Sequence, residues 1–205
     1  WPPRLPAVFS SAKISRTNAS DLILMSTSPS HIPRESVDVA RGLRAATLHV
    51  FASADDPDLS QRFADGHRAV LQASGITNLT SFGEDWVGDA DTTLFLLTCN
   101  DDETLLSGMR LQRRREEYLL PMERAVGGDH PEVSQRLDSQ MQEGCGEFCA
   151  LWSRRETAMA GIGMLPMACV GLGLMPRLDI RHGYAFMGTN MRPIQRELGF
   201  TILEE

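Results

Sequence analysis

Gly161 and Gly163, two positions apart between apolar segments, are the residues whose spacing best suits chemistry. The apolar run Phe148 to Trp152 has strand character. A polar turn follows through Ser153, Arg154 and Arg155, then Ala160-Gly161-Ile162-Gly163, then a helix-like segment that opens near Met164. Strand, glycine loop and helix start in that order make an anion site. The first N–H groups of a helix lack partners inside it, and the helix dipole adds positive potential there. Glycine lets the backbone come close to a phosphate. The stretch therefore points to a phosphate-bearing cofactor, with ordinary loop punctuation as the alternative.

The surrounding chain must supply the elements that place this loop. Residues 1 to about 45 are rich in Ser, Pro and Thr, are weakly periodic, and read as a flexible tail. The chain begins at Trp1, which makes Met25 a candidate initiator. Arg4, Lys13 and Arg16 against Asp21 give a faint basic bias, but no signal-peptide core follows. Residues 46–205 read as one domain. Thr47 to Ala52 alternates as a strand. Asp56-Pro57 is a helix cap with proline in the first turn, and Leu59, Phe63 and Val70 form the stripe of a helix that Gly75 ends. Thr77 to Asp91 is a loop bearing Phe82 and Trp86. Thr92–Cys99 is a buried strand that turns at Asn100 to Glu103 into a strand over Leu105–Arg113. Pro131 opens a helix with Val133, Leu137 and Met141 on one face, and Gly146 to Trp152 is the next strand. After the glycine loop come a helix to about Leu174, a strand over 183–187, a short helix over 191–198 and a last strand over 199–204.

Composition narrows the classes. The chain has 205 residues, 42% hydrophobic and 23% charged, which suits one globular core. A net charge of -7 argues against nucleic acid. Arg113-Arg114-Arg115 is a solvated strand end or a contact for a cofactor phosphate. Cys99, Cys145, Cys149 and Cys169 lack metal-ligand spacing, so neither zinc nor a disulfide framework is indicated, and free thiols in a reducing cytoplasm are expected. The longest apolar runs are too short or too glycine-rich to span a bilayer.

The element order resembles the GNAT acyltransferase fold. Ala158-Met159-Ala160-Gly161-Ile162-Gly163 is similar to that superfamily's coenzyme A pyrophosphate loop, and Arg192 to Phe200 resembles its helix ending in Leu-Gly-Phe. Asp91, followed by the two strands and Gly108-Met109-Arg110-Leu111, resembles the acyl-homoserine-lactone synthase and N-acyl amino acid synthase branch. Leu120-Pro121 and Gly146-Glu147-Phe148 fit the same branch. The resemblance implies a mixed α/β (α+β) fold with a twisted sheet of about six strands flanked by helices. It implies an N-acyltransferase that moves an acyl group from acetyl-CoA, a longer acyl-CoA or an acyl carrier protein to the amine of a small molecule or amino acid, with no metal. The pattern is broken at Ala158, where Gln or Arg is usual, at Ala150, where the synthases carry Arg, and at Gln195, where many members have a tyrosine acid. A customary seventh strand is missing or truncated, which would leave an open sheet edge. The alternative reading is a non-catalytic acyl-CoA-binding or interaction domain.

Under that resemblance Glu147 is the base candidate, since burial beside an apolar run raises a carboxyl pKa. A structural pairing with an arginine such as Arg110 is the competing reading. Arg110 either recognises a substrate carboxylate or headgroup, or forms a salt bridge. Asp91 binds a substrate ammonium or caps a turn. Phe82 and Trp86 wall an acyl tunnel or anchor a loop. His67 lies near the acceptor pocket or is incidental on a helix surface, and Cys149 is poorly placed for a thiolate. Met164, Met167 and Met175 are core, or line an acyl pocket. Trp152, Ser153, Arg154, Arg155, Ala160, Gly161, Ile162 and Gly163 cradle the cofactor phosphates, while Thr189 and Asn190 touch the pantetheine or thioester. Gly161→Val is expected to weaken donor binding, because a side chain blocks the approach of phosphate. Titration with coenzyme A checks this, and unchanged affinity removes the loop from the role.

Overall fold

Apolar runs and their breaks set the order of elements along the chain. The computed structural model describes residues 11–15, 45–76, 83, 85–99, 102–155, 157, 164–186 and 198–201. Strand β1 is Ser11–Ser15 and β2 is Ala45–Ala52; helix α1 is Pro57–Ala73; β3 is Thr92–Cys99 and β4 is Leu105–Arg113. Helices α2 (Pro121–Val126) and α3 (Pro131–Met141) precede β5 (Cys145–Ser153). Helix α4 (Met164–Leu174) runs into a 3-10 turn at Met175–Leu178, and β6 is His182–Ala185. The six strands lie side by side in chain order, giving the mixed α/β sheet expected from the sequence. Pairs from β1 to β5 are antiparallel, and β5–β6 is parallel.

Local chemistry explains the main boundaries. Asp56 Oδ1 accepts from Leu59 N at 2.9 Å, so the predicted cap starts α1. Strand β3 is buried on both faces, which is why its sequence runs apolar without alternation. Leu94 and Leu96 pack with Phe63, Trp86 and Trp152 on the α1 side of the sheet. Phe95 and Leu97 pack with Met109, Leu111 and Met167 on the α4 side. Met167 is thus core, and Ser11–Ser15, within the expected tail, pair with β2 as an edge strand.

Three features were not predicted by pattern. The first is α2, a single short turn of helix opened by Pro121. It is held by Glu123, whose Oε2 accepts from Leu120 N at 2.9 Å and pairs with Arg114 Nε at 2.7 Å. Arg114 Nη2 also reaches Asp138 on α3 at 2.9 Å. Arg114 is therefore a buried strut, while Arg113 and Arg115 stay part-exposed and Arg115 pairs with Asp89 and Asp91, so the cluster is only in part the solvated strand end expected. The second is β1 itself. The third is a bulge in β5. Gly108 faces Trp152 and Arg110 faces Cys149, so Ala150 and Leu151 together oppose Met109. Ala150 takes a φ of +48°, a left-handed conformation that costs a non-glycine residue about 1–3 kcal/mol. Most of the expected 191–198 helix and 199–204 strand lies outside the described residues.

Trp152 fixes how α1 lies on the sheet. A Cβ at Gly66 would come within 2.8 Å of its ring, and a Cβ at Gly108 would sit 2.6 Å from both Trp152 Nε1 and Phe63 Cε2. The indole thus occupies space that only hydrogens leave free on both sides. Gly108→Ala is expected to destabilise the fold by about 1–3 kcal/mol through overpacking. Urea denaturation followed by circular dichroism measures it, and an unchanged midpoint would contradict this packing.

Candidate functional site

Strand alternation carries Gly108, Arg110 and Gln112 to the α1 side of β4. In register on β5, Trp152 lies opposite Gly108, Cys149 opposite Arg110, and Glu147 opposite Gln112. Residues 147 and 149 share a face by simple alternation, but 152 joins them only because the bulge adds one residue. The bulge therefore keeps Glu147, Cys149 and Trp152 on one face while Phe148 and Leu151 pack on the other.

Arg110 is the centre of this face. It is 1% exposed, a burial that arginine rarely reaches without a paired anion. Its Nε lies 3.2 Å from Cys149 Sγ, and its guanidinium stacks 4.8 Å from the ring centroid of Trp86. Its Nη1 has no hydrogen-bond partner, and among the described residues no carboxylate forms an ion pair with it. The competing expectation of an Arg110–Glu147 salt bridge is thus not realised. Trp86 itself meets Phe63 edge-on at 5.7 Å.

Glu147 is 3% exposed. Burial pushes its carboxyl up to about 7, while the Met122 amide, donating to Oε2 at 2.8 Å, and the Arg110 charge pull the other way. Glu123 also raises it and Arg124 lowers it. The arrangement yields a carboxyl that changes charge near neutral pH, which suits general acid–base work. His67 is buried on α1 rather than incidental on a surface. Burial, then the Arg110 and Arg68 charges, lower it to about 4, so it is neutral at neutral pH. Burial drives the Cys149 thiol up to about 11, which keeps it a thiol, as its strand position predicts.

The other candidates fall in separate places. Asp91 is engaged by Arg115 Nη1 at 2.9 Å, with Arg113 at 4.0 Å, so Glu147 is the carboxylate facing Arg110's side of the sheet. Asp89, not Asp91, secures the start of β3 by accepting from Thr92 Oγ1 at 2.8 Å. The Trp152 side chain is core, and Ser153 continues the ladder opposite Ser107. Arg154 and Arg155 are exposed just past β5. Phe82, Ala158, Ala160, Gly161, Ile162, Gly163, Thr189, Asn190 and Gln195 lie outside the described residues. The pairing of β5 with β6 runs from Cys145–His182 to Phe148–Ala185, so Cys149 onward bonds only to β4 among the described residues. Gln112 was missed altogether. Its signal was a lone amide two positions after Arg110 in an otherwise apolar strand.

Among the described residues no helix is long and apolar enough to cross a membrane. No family model and no curated protein matches the chain. Solved structures do. FeeM, an N-acyl amino acid synthase from uncultured soil microbes, matches with a TM-score of 0.58 at 14% identity, over 78% of this chain and 81% of that one. An aminoglycoside acetyltransferase from an uncultured soil metagenomic sample matches with a TM-score of 0.52 at 8% identity, over 78% and 91%. A Trypanosoma brucei acetyltransferase matches at 0.50 and 8%, over 78% and 95%. At these identities the likeness is one of fold.

Glu147 also leaves a mark on stability. Its carboxyl is raised above the unfolded value near 4.5, so the native state binds the extra proton between about pH 4.5 and 7. That contribution is full below pH 4.5 and is lost as pH rises through 7. Glu147→Gln is therefore expected to melt higher than wild type at pH 8, by up to roughly 3 kcal/mol of stability, and to match it near pH 4.5. Thermal melts across that range test this; a variant weaker at pH 8 would sink it.

Proposed function

We propose that this chain, which has the fold of the GNAT acyltransferases, is an N-acyltransferase. Its donor is an acyl thioester of coenzyme A or of an acyl carrier protein, and its acceptor is the amine of a small molecule or amino acid. One observation carries the reading: a buried carboxyl tuned near 7 stands on the same sheet face as a buried arginine that has no carboxylate partner among the described residues.

The reaction follows from these groups. An amine arrives protonated and must lose a proton before it can attack. Glu147, ionised above its raised pKa, takes that proton. The nitrogen lone pair then adds to the thioester carbonyl carbon, the C–N bond forms, and the C–S bond breaks. The bonded nitrogen gives up its surplus proton, the sulfur leaves as a thiolate and takes up one proton, and free thiol and amide result. Negative charge develops on the carbonyl oxygen, and a bulge leaves the extra residue's backbone outside the ladder. The strained Ala150–Leu151 bulge, one residue beyond Cys149, supplies such an amide for that oxyanion. Arg110 offers charge to an anionic group of the acceptor. Arg154 and Arg155 offer charge to donor phosphates, with the amides of 158–163 as the cradle and Thr189 and Asn190 along the pantetheine. Asp91 and Phe82 stay as candidates for the outer acceptor site, and Trp86 as the wall over Arg110. A cytoplasmic setting fits such a donor.

A non-catalytic thioester-binding domain is the second reading, favoured by Ala150 and Gln195 where the resembled patterns carry Arg and Tyr. Thiol release from acetyl-CoA and longer acyl-CoA donors, measured over an amine and amino acid panel, separates the two. Turnover is expected for at least one acceptor, rising with pH toward a plateau above about 7 as Glu147 ionises. Glu147→Gln should lower it by about 10²-fold. Donor binding with no thiol release on any amine favours the second reading, and full activity in a folded Glu147→Gln removes Glu147 as the base.

A further inference from the structure

Gln112 is the one large polar residue on the active face that no role has yet absorbed. It is 0% exposed, and neither its side-chain oxygen nor its nitrogen has a hydrogen-bond partner among the described residues. A buried amide left with no partner costs about 1–3 kcal/mol for each unsatisfied group, so a sheet interior would ordinarily carry an apolar residue here. Its position explains the tolerance. It sits two residues beyond Arg110 on the same side of β4, about 7 Å along the strand. It is the direct cross-strand partner of Glu147, a relation that sets Cβ atoms about 5 Å apart. Arg110 Nη1 is orphaned on that same face, so the unsatisfied groups are neighbours and not scattered defects.

We propose that Gln112 is an acceptor-binding residue whose side-chain oxygen takes an N–H of the acceptor amine beside Glu147, while Arg110 holds an anionic group of the same molecule. The inference builds on the acyl-transfer reading for its purpose, though the binding it describes stands apart from turnover. The chemistry is complementary. Arg110 presents donors only, Glu147 when ionised presents acceptors only, and an amide presents both. With three hydrogens on an ammonium, Glu147 can accept one and Gln112 another. After Glu147 removes a proton, the Gln112 oxygen still holds an N–H, because an amide does not titrate. The amine is thereby kept in place while its lone pair is exposed. The fit is to a small molecule that carries an amine and an anionic group a few bonds apart, not to a simple alkylamine. The same arrangement accounts for the fully buried guanidinium, since the ligand supplies the anion that the fold withholds.

The test uses the full chain and Gln112→Met, which keeps length and removes both polar atoms, with Gln112→Leu as a second variant should the first fail to fold. The probes are L-leucine, L-tyrosine and L-glutamate, together with the corresponding amines that lack the α-carboxylate. The expected result is a rise of about tenfold or more in acceptor KM, the size of one lost bond to a charged group, with donor KM unchanged. Wild type should prefer the carboxylate-bearing member of each pair. The thermal midpoint should hold or rise, because the unsatisfied amide is gone. An acceptor KM that moves no more than the donor KM overturns the assignment. Should wild type turn over none of these amines, the dissociation constants of the same probes by calorimetry decide instead. Binding that weakens in Gln112→Met upholds the site and removes the transfer reading. No binding by wild type overturns both.

Discussion

Side chains on a strand change faces at every step, and β5 departs from that rule between Cys149 and Trp152. With one residue fewer, Trp152 would turn to the α4 side and the slot beneath α1 would be empty. With the bulge, Glu147, Cys149 and Trp152 all face α1, and the tryptophan that seats the helix stands on the same surface as the chemical groups. The cost is an alanine in left-handed conformation. Strain at such a point persists only where neighbours fix it, and here β4 does so from Gly108 to Arg110. The bulge also lies just past Phe148–Ala185, the last described β5–β6 pair.

The electrostatics of the α1 face divide into a satisfied half and an unsatisfied one. Arg114, Glu123 and Asp138 form a closed network that ties the turn after β4 to α2 and α3. That network sets the Met122 amide against Glu147, so this carboxyl is oriented by backbone and not by a countercharge. Arg115 and Arg124 do the same for the loop before β3, gripping Asp89, Asp91 and Asp85 and so holding Trp86 over Arg110. Within this frame, among the described residues, Arg110 has no carboxylate partner and the Gln112 side chain has no hydrogen-bond partner. A sheet that satisfies its other arginines so fully, and leaves one buried guanidinium open, has its charge deficit in a definite place.

Much of this was readable from residue types. The Asp56-Pro57 cap and the continuous apolar β3 follow from local rules, and the structure realises them. The bulge was not readable, because Phe148 to Trp152 is apolar whichever way its residues face, so no alternation existed to be broken. Helix α2 escaped because it is held by Glu123 meeting Arg114 just past β4, a contact invisible to a helical period. The arginine triplet looked like solvent-exposed charge for the same reason, since its carboxylates lie 9 to 26 positions away. His67 was ambiguous because one histidine on an amphipathic helix sits well on either face, and only packing against Phe63 decided it.

Gly66, Trp152 and Gly108 form a stack in which one ring is received by two missing methyl groups on different elements. None of the three can drift alone. A larger residue at either glycine collides with the ring, and a smaller residue at 152 leaves a void that only growth at 66 or 108 would fill. In lineages carrying this fold, these positions should therefore change together or not at all, with a small residue at 152 accompanied by a larger one at 66 or 108. Any engineered graft of β4 or β5 from a relative inherits the same constraint and must carry its matching helix.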